Sequence, residues 1–326
     1  MVKYLKRTVL LLSLSYICIT GIVIAFPEYY MDQSFSIFKY GKELIEHNAF
    51  GVNTIIIGDS RAQAGFVPDS LTKTTINGAL LGSSPIEGYF QLEKLMKQGA
   101  SIDTLIVSYG ALHLMSSEYY FINSLRYSYL NINDVNTIHN TFNYKNDAFW
   151  EIHPSELSYF EQYTSRIKAY LILLKCPLYF QESITSSKFR RNKPNRSFYS
   201  DLVKNKGYYL YGKDAFSNAL NEETKEEDFI VNSTISTALK ELFKLAQANN
   251  IHVVYVNMPY NKASYNQLST AFINNYKNYM NSLKQEFPEV EFKSELFLLS
   301  NGYFGDASHL NRKGAIKMTQ FLNTVL

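Results

Sequence analysis

Short apolar runs rich in β-branched residues alternate with helix-length amphipathic stretches along much of this chain, and that alternation narrows the possible folds more than any other feature. Residues 53–57 (NTIII), 74–77, 103–108 (DTLIVS), 251–257 (IHVVYVN) and 290–292 read as strands. Residues 85–98, 233–249, 264–286 and 311–325 read as the helices between or after them. Strands that are apolar along their whole length, joined through helices of about ten residues or more, form a parallel sheet covered on both faces. The expectation is a three-layer α/β/α domain. At 326 residues the chain is long enough for a full core, and 19% charged with 15% aromatic residues describes a folded protein.

The N-terminus does not fit that pattern. Residues 8–26, TVLLLSLSYICITGIVIAF, carry no charge and follow Lys3, Lys6 and Arg7. A helix of this length spans roughly 30 Å of hydrocarbon. The basic flank is expected on the cytoplasmic side, with everything after Pro27 outside the cell membrane. Bulky residues at 22–24 and 26 fit a cleaved signal poorly, so an uncleaved single-pass anchor is expected. The expected organisation is a cytoplasmic tip and anchor at 1–27, an amphipathic connector at 28–50 with Phe35, Phe38, Ile45 and Phe50, and a main domain at 51–326.

Residues 115–230 break the strand–helix rhythm. One helix is expected at 156–175, and the basic stretch SSKFRRNKPNRSF, with Lys188, Arg190, Arg191, Lys193 and Arg196, is expected as a loop. It is either a plain solvated surface or a contact for an anionic polymer or lipid headgroups. The net charge of +3 is too small for a nucleic-acid partner. Of the two cysteines, Cys18 sits in the apolar run and Cys176 far from it, so no disulfide and no thiolate metal cluster is expected. The histidines lack ligand spacing, and neither a metal nor a cofactor is expected.

Functional groups in a parallel sheet gather at the carboxyl ends of the strands. The first strand ends there in Gly58-Asp59-Ser60. Such a turn exposes a hydroxyl at a helix start, where amides can stabilise an oxyanion. The tripeptide alone is weak, since ordinary composition gives one in roughly ten chains of this length. The chain supplies a second element, DASHLNRKG at 306–314, after the last strand. A serine nucleophile needs a base, and the base needs an acid that fixes its tautomer. Asp306 and His309 can supply both from one loop, with Asn311 capping the terminal helix behind them. The other reading of the same residues is a polar turn before a capped helix.

With these motifs the chain resembles the SGNH or GDSL hydrolase superfamily. GDS at 58–60 is similar to its first motif, DASHLN at 306–311 to its last, and INGALLGSS at 76–84 to its second. The resemblance implies a flavodoxin-like sandwich with catalytic Ser60, Asp306 and His309. It also implies an oxyanion hole from the amides of Ser60 and Gly82, with Gly78 the alternative position. The superfamily's third motif, Gly-x-Asn-Asp, is replaced here by SYGALHL at 108–114, leaving Leu112 and His113 at the two polar positions. His113 is then either a substitute oxyanion donor or a structural residue. The anchor and the altered third motif resemble most the extracytoplasmic branch associated with polysaccharide O-acetylation and teichoic-acid D-alanylation. That branch implies a cell-surface glycan as acceptor and a polytopic membrane acyltransferase as partner. Two functions stay open: an acyl esterase or O-acyltransferase, and a non-catalytic glycan-binding or assembly protein.

Overall fold

The computed structural model describes residues 1–48, 51–116, 120–142, 167, 169–175, 178–185, 191–215 and 227–326. Its principal helices are α1 (Val2–Ala25), α2 (Ser34–Glu43), α3 (Ser60–Gly65), α4 (Pro85–Lys97), α5 (Leu178–Thr185), α6 (Asn192–Lys204), α7 (Ser233–Ala248), α8 (Thr270–Glu286) and α9 (Arg312–Asn323). The strands are β1 (Thr54–Gly58), β2 (Thr75–Asn77), β3 (Thr104–Ser108), β4 (His252–Val256) and β5 (Glu291–Lys293).

All five strands pair in parallel in the order β2-β1-β3-β4-β5. Successive residues of one strand face opposite ways, so each strand feeds two cores. Ile55, Ile57, Leu105, Val107, Val253 and Tyr255 face a large core. Ile56, Ile106, Val254 and Val256 face a smaller one, closed by Ala62 of α3 and Met318 and Leu322 of α9. On the larger side Phe90 of α4, Leu242 of α7 and Phe272 of α8 cover the sheet. Helices therefore lie on both faces of a parallel sheet. The order reverses at β1, whose neighbours β2 and β3 lie on opposite sides of it, and such a reversal opens a crevice at the carboxyl edge.

Helix α1 has a stretch of mean hydropathy 2.3, long and apolar enough to cross a membrane. Residues 28–48 do more than join it to the sheet. Ile37, Phe38, Tyr40 and Leu44 are buried in the same core as β1 and β3. Asn195 of α6 donates to Glu28 O and Met31 O at 2.8 and 3.0 Å, fastening that segment down.

Two local expectations are corrected. The helix at 264–286 is interrupted: a four-residue helix at Lys262–Tyr265 ends, and α8 begins afresh where the Ser269 hydroxyl accepts Phe272 N at 2.9 Å. The basic stretch is helical from Asn192 onward. Pro194 is tolerated because first-turn amides have no intrahelical acceptor to lose. Phe50, Cys176, Lys188 and Arg190 lie outside the described residues, as does most of the helix expected at 156–175, of which 169–173 is helical.

Candidate active site

Strand β1 can end as it does only because residue 58 has no side chain: a Cβ there would lie 2.1 Å from Ser108 O. Asp59 then caps α3. Its Oδ1 accepts Arg61 N at 2.8 Å and Ala62 N at 3.4 Å, and its Oδ2 accepts Gly110 N at 2.7 Å. This fully buried carboxylate welds the end of β1 to the turn after β3. With its oxygens so engaged, Asp59 orients the helix that begins at the next residue.

Ser60 is the first residue of α3 and 7% exposed. Its Oγ lies 2.9 Å from His309 Nε2. On the far side of the ring, His309 Nδ1 lies 2.9 Å from Asp306 Oδ2 and 3.1 Å from Oδ1. The Asp306 carboxylate also accepts the amides of Ser308 and His309 at 2.9 and 2.7 Å. Burial pushes the Asp306 pKa up, but the bonds from the His309 ring, the ring's charge and the two amides outweigh it and hold the group below its ordinary value. An ionised Asp306 only accepts hydrogen bonds, so in a neutral imidazole the tautomer that fits this geometry carries its proton on Nδ1 and turns a lone pair on Nε2 toward Ser60. Ser308 Oγ, 3.2 Å from Nδ1, lies on the same edge.

The loop bearing this pair is braced from three sides. Gly305 N donates to His309 O at 2.9 Å and closes the turn. Asn311 accepts Gly314 N at 3.0 Å as the cap of α9 and donates to Gly302 O at 2.9 Å. Asn261 Nδ2, beyond β4, donates to Ala307 O.

The residues expected to form an oxyanion hole differ from one another. Gly82 is buried with φ +68°, a conformation that favours glycine, and among the described residues no carbonyl accepts its amide. The loop carrying it is laced to the end of β1, with Leu80 N and Ser83 Oγ donating to Gly58 O at 2.9 and 2.7 Å. Gly78 does not qualify, because its amide already donates to Ile56 O at 2.8 Å as a continuation of the sheet. His113 Nε2 lies 3.6 Å from Asp59 Oδ2, so its ring edge faces the helix cap.

Several residues of this region escaped the sequence reading. Tyr211 stacks on the His309 ring, with centroids 4.6 Å apart and planes at 29°, and its hydroxyl donates to Gln63 Oε1 on α3. Burial, reinforced by Tyr209 and Asp59, raises the Tyr211 pKa well above the ordinary 10.0, which keeps the ring a neutral phenol. Tyr211 reaches the site because Gly207, at φ +91°, lets the chain pass so close to β2 that a Cβ would lie 1.8 Å from Asn77 O. Further along, Lys213 N donates to Gly305 O at 3.0 Å. Glycines flanking a tyrosine pair were the only sequence signal for this placement. Arg61, 4% exposed, follows Ser60 and donates to Pro259 O at 2.5 Å, with its guanidinium 4.5 Å above the Tyr260 ring. It ties α3 to the loop after β4.

Chemically, a hydroxyl hydrogen-bonded to an imidazole that an ionised carboxylate orients can attack an acyl carbonyl. Among the described residues no three His, Cys, Asp or Glu side chains converge to hold a metal. The chain matches none of the protein-family models and none of the curated proteins it was compared with.

Proposed function

We propose that the protein is a membrane-anchored serine acyl esterase or O-acyltransferase acting on a cell-surface polysaccharide through an acyl-enzyme on Ser60. One observation carries this reading: Ser60 Oγ, His309 and Asp306 form an unbroken hydrogen-bonded path, with both outer distances 2.9 Å. The strand order β2-β1-β3-β4-β5 supports a flavodoxin-like sandwich of the SGNH kind, with this site at its carboxyl edge.

In this mechanism Ser60 Oγ attacks the acyl carbonyl while His309 Nε2 takes its proton, and Asp306 stabilises the imidazolium. The Ser60 and Gly82 amides receive the charge on the carbonyl oxygen. His309 returns the proton to the leaving oxygen, which frees the alcohol and leaves the acyl ester on Ser60. A second hydroxyl then resolves the ester by the reverse sequence: water in an esterase, a sugar hydroxyl in a transferase. Acyl-CoA donors are cytoplasmic, so a transferase on the outer face needs a polytopic membrane acyltransferase to deliver the group to Ser60. The cytoplasmic N-terminus and extracytoplasmic domain of this reading rest on Lys3, Lys6 and Arg7 before the apolar run.

One observation favours the second reading, a non-catalytic glycan-binding or assembly protein: His113 turns to Asp59, and the third motif supplies no side-chain amide for the oxyanion. Turnover of p-nitrophenyl acetate by the full-length protein, with and without acetyl-acceptor glycans, separates the readings. Ser60-dependent release supports catalysis, and transfer to the glycan identifies a transferase. Glycan binding without any Ser60-dependent turnover supports the second reading.

A further inference from the structure

Helix α1 is not packed evenly. Tyr16 and Ile19 are half-buried and Thr20 and Val23 are buried, a spacing that marks one helical face, while Ile17 and Ile22 on the other side stay exposed. The covered face rests on α5, where the Phe180 ring lies 4.7 Å from that of Tyr16. Helix α5 is fixed to the domain in turn: Tyr179 Oη donates to Arg126 O at 2.8 Å, and Glu182 pairs with Arg126. Tyr16 lies nine residues before the end of α1, about 14 Å along its axis at 1.5 Å per residue. Whatever surrounds the second half of α1 must therefore also surround α5, and residues 169–175 precede it.

Among the described residues just before α5, apolar side chains point both into the core and outward. Within residues 167–174, Ala169 and Ile172 are buried in the core, while Ile167, Leu171 and Leu174 are 38%, 50% and 68% exposed. Their spacing of four and three residues puts the exposed three on one stripe. An exposed apolar stripe opposite a core-facing one, beside a helix that can span a membrane, fits a lipid contact. The next residue, Lys175, lines a cavity of about 290 Å3 together with Ile24, at the end of the anchor. Leu174 is thus level with the point where α1 leaves the apolar zone. The cavity also holds Lys39 and Lys42 against Glu28, Glu43 and Glu46, so its charge is balanced and the apolar stripe, not attraction to an anion, carries the argument.

We propose that Ile167, Leu171 and Leu174 are immersed in the leaflet surrounding the second half of α1, so that this stripe forms, beside α5, a second, monotopic contact with the same membrane. The contact rests on the reading of α1 as a span. It fixes the domain against the bilayer instead of leaving it free on a tether.

The test uses full-length protein with Cys18 and Cys176 replaced by Ser, reconstituted in nanodiscs of dibrominated phosphatidylcholine. A single fluorophore is placed through Ile22→Cys, Leu171→Cys, Leu174→Cys or, as an exposed apolar reference on α9, Phe321→Cys. Quenching at 171 and 174 comparable to that at 22, with none at 321, is the expected result. Quenching at 22 but at neither 171 nor 174 overturns the second contact and leaves the span standing. Absence of quenching at 22 overturns the span, and the second contact with it.

Discussion

His309 Nε2 lies 2.9 Å from Ser60 Oγ although the two residues are 249 positions apart. The pair brings together the start of the helix after the first strand and the loop before the last helix, and Asp306 fixes the imidazole from behind. If this contact is catalytic, Asp306→Asn should lower kcat by about 10³ to 10⁴, because an amide can stabilise the wrong tautomer. His309→Ala should do at least as much. Steady-state ester hydrolysis measures both, and a loss under tenfold for either would sink the triad.

The depressed pKa of Asp306 also predicts a pH dependence of stability. Its folded value lies below the ordinary 3.8. Its contribution is therefore fully present above that value and is lost as pH falls through the folded pKa. Wild type and Asp306→Asn should differ in denaturation midpoint at neutral pH and converge in strong acid. Because the side chain is 36% exposed, solvent screening keeps this difference small. A difference that grows toward low pH would contradict the assignment.

Tyr211 should act through His309. Removing a stacked ring costs about 0.5–1.5 kcal/mol, so Tyr211→Ala should reduce kcat by about twofold to thirteenfold if that energy orients the imidazole. Tyr211→Phe keeps the ring and loses only the bond to Gln63, so it should retain most of kcat while melting lower. Equal kcat in the two variants would show the ring to be only packing.

The two candidate oxyanion glycines should separate. Gly82→Ala forces a side chain into φ +68° in the loop laced to the end of β1 and, if the Gly82 amide is an oxyanion donor, should depress kcat. Gly78→Ala would put a Cβ 2.7 Å from Gln91 Nε2 and should chiefly lower stability, with kcat of the folded fraction near wild type. His113→Ala should likewise cost little in kcat, since the ring faces Asp59. Thermal melts alongside initial rates distinguish these outcomes.

The sheet was legible in the sequence because buried parallel strands are continuous apolar runs, as at residues 54–58 and 104–108, and need no long-range information to be seen. Ser60, Asp306 and His309 were legible as candidates because one motif ends the first strand and the other sits in the loop before the terminal helix. The restart of α8 at Ser269 was not, since a cap within a periodic stretch does not disturb its apolar spacing. Tyr211 was invisible for a different reason. The segment from Gly207 to Lys213 has no periodicity, and its path depends on close backbone approaches to Asn77 and Gly305 that only the folded partners define. The burial of Phe38 and Tyr40 was similarly hidden, because an amphipathic stretch does not say which core it will join.

The most direct test of the central claim is intact mass of the full-length protein after brief exposure to p-nitrophenyl acetate, followed by peptide mapping. The account predicts one added acetyl group, located on Ser60, absent in Ser60→Ala and accumulating when His309 is replaced only if attack still occurs. A folded wild-type protein that gains no acetyl group, or gains one on another residue while Ser60→Ala keeps full turnover, would contradict it.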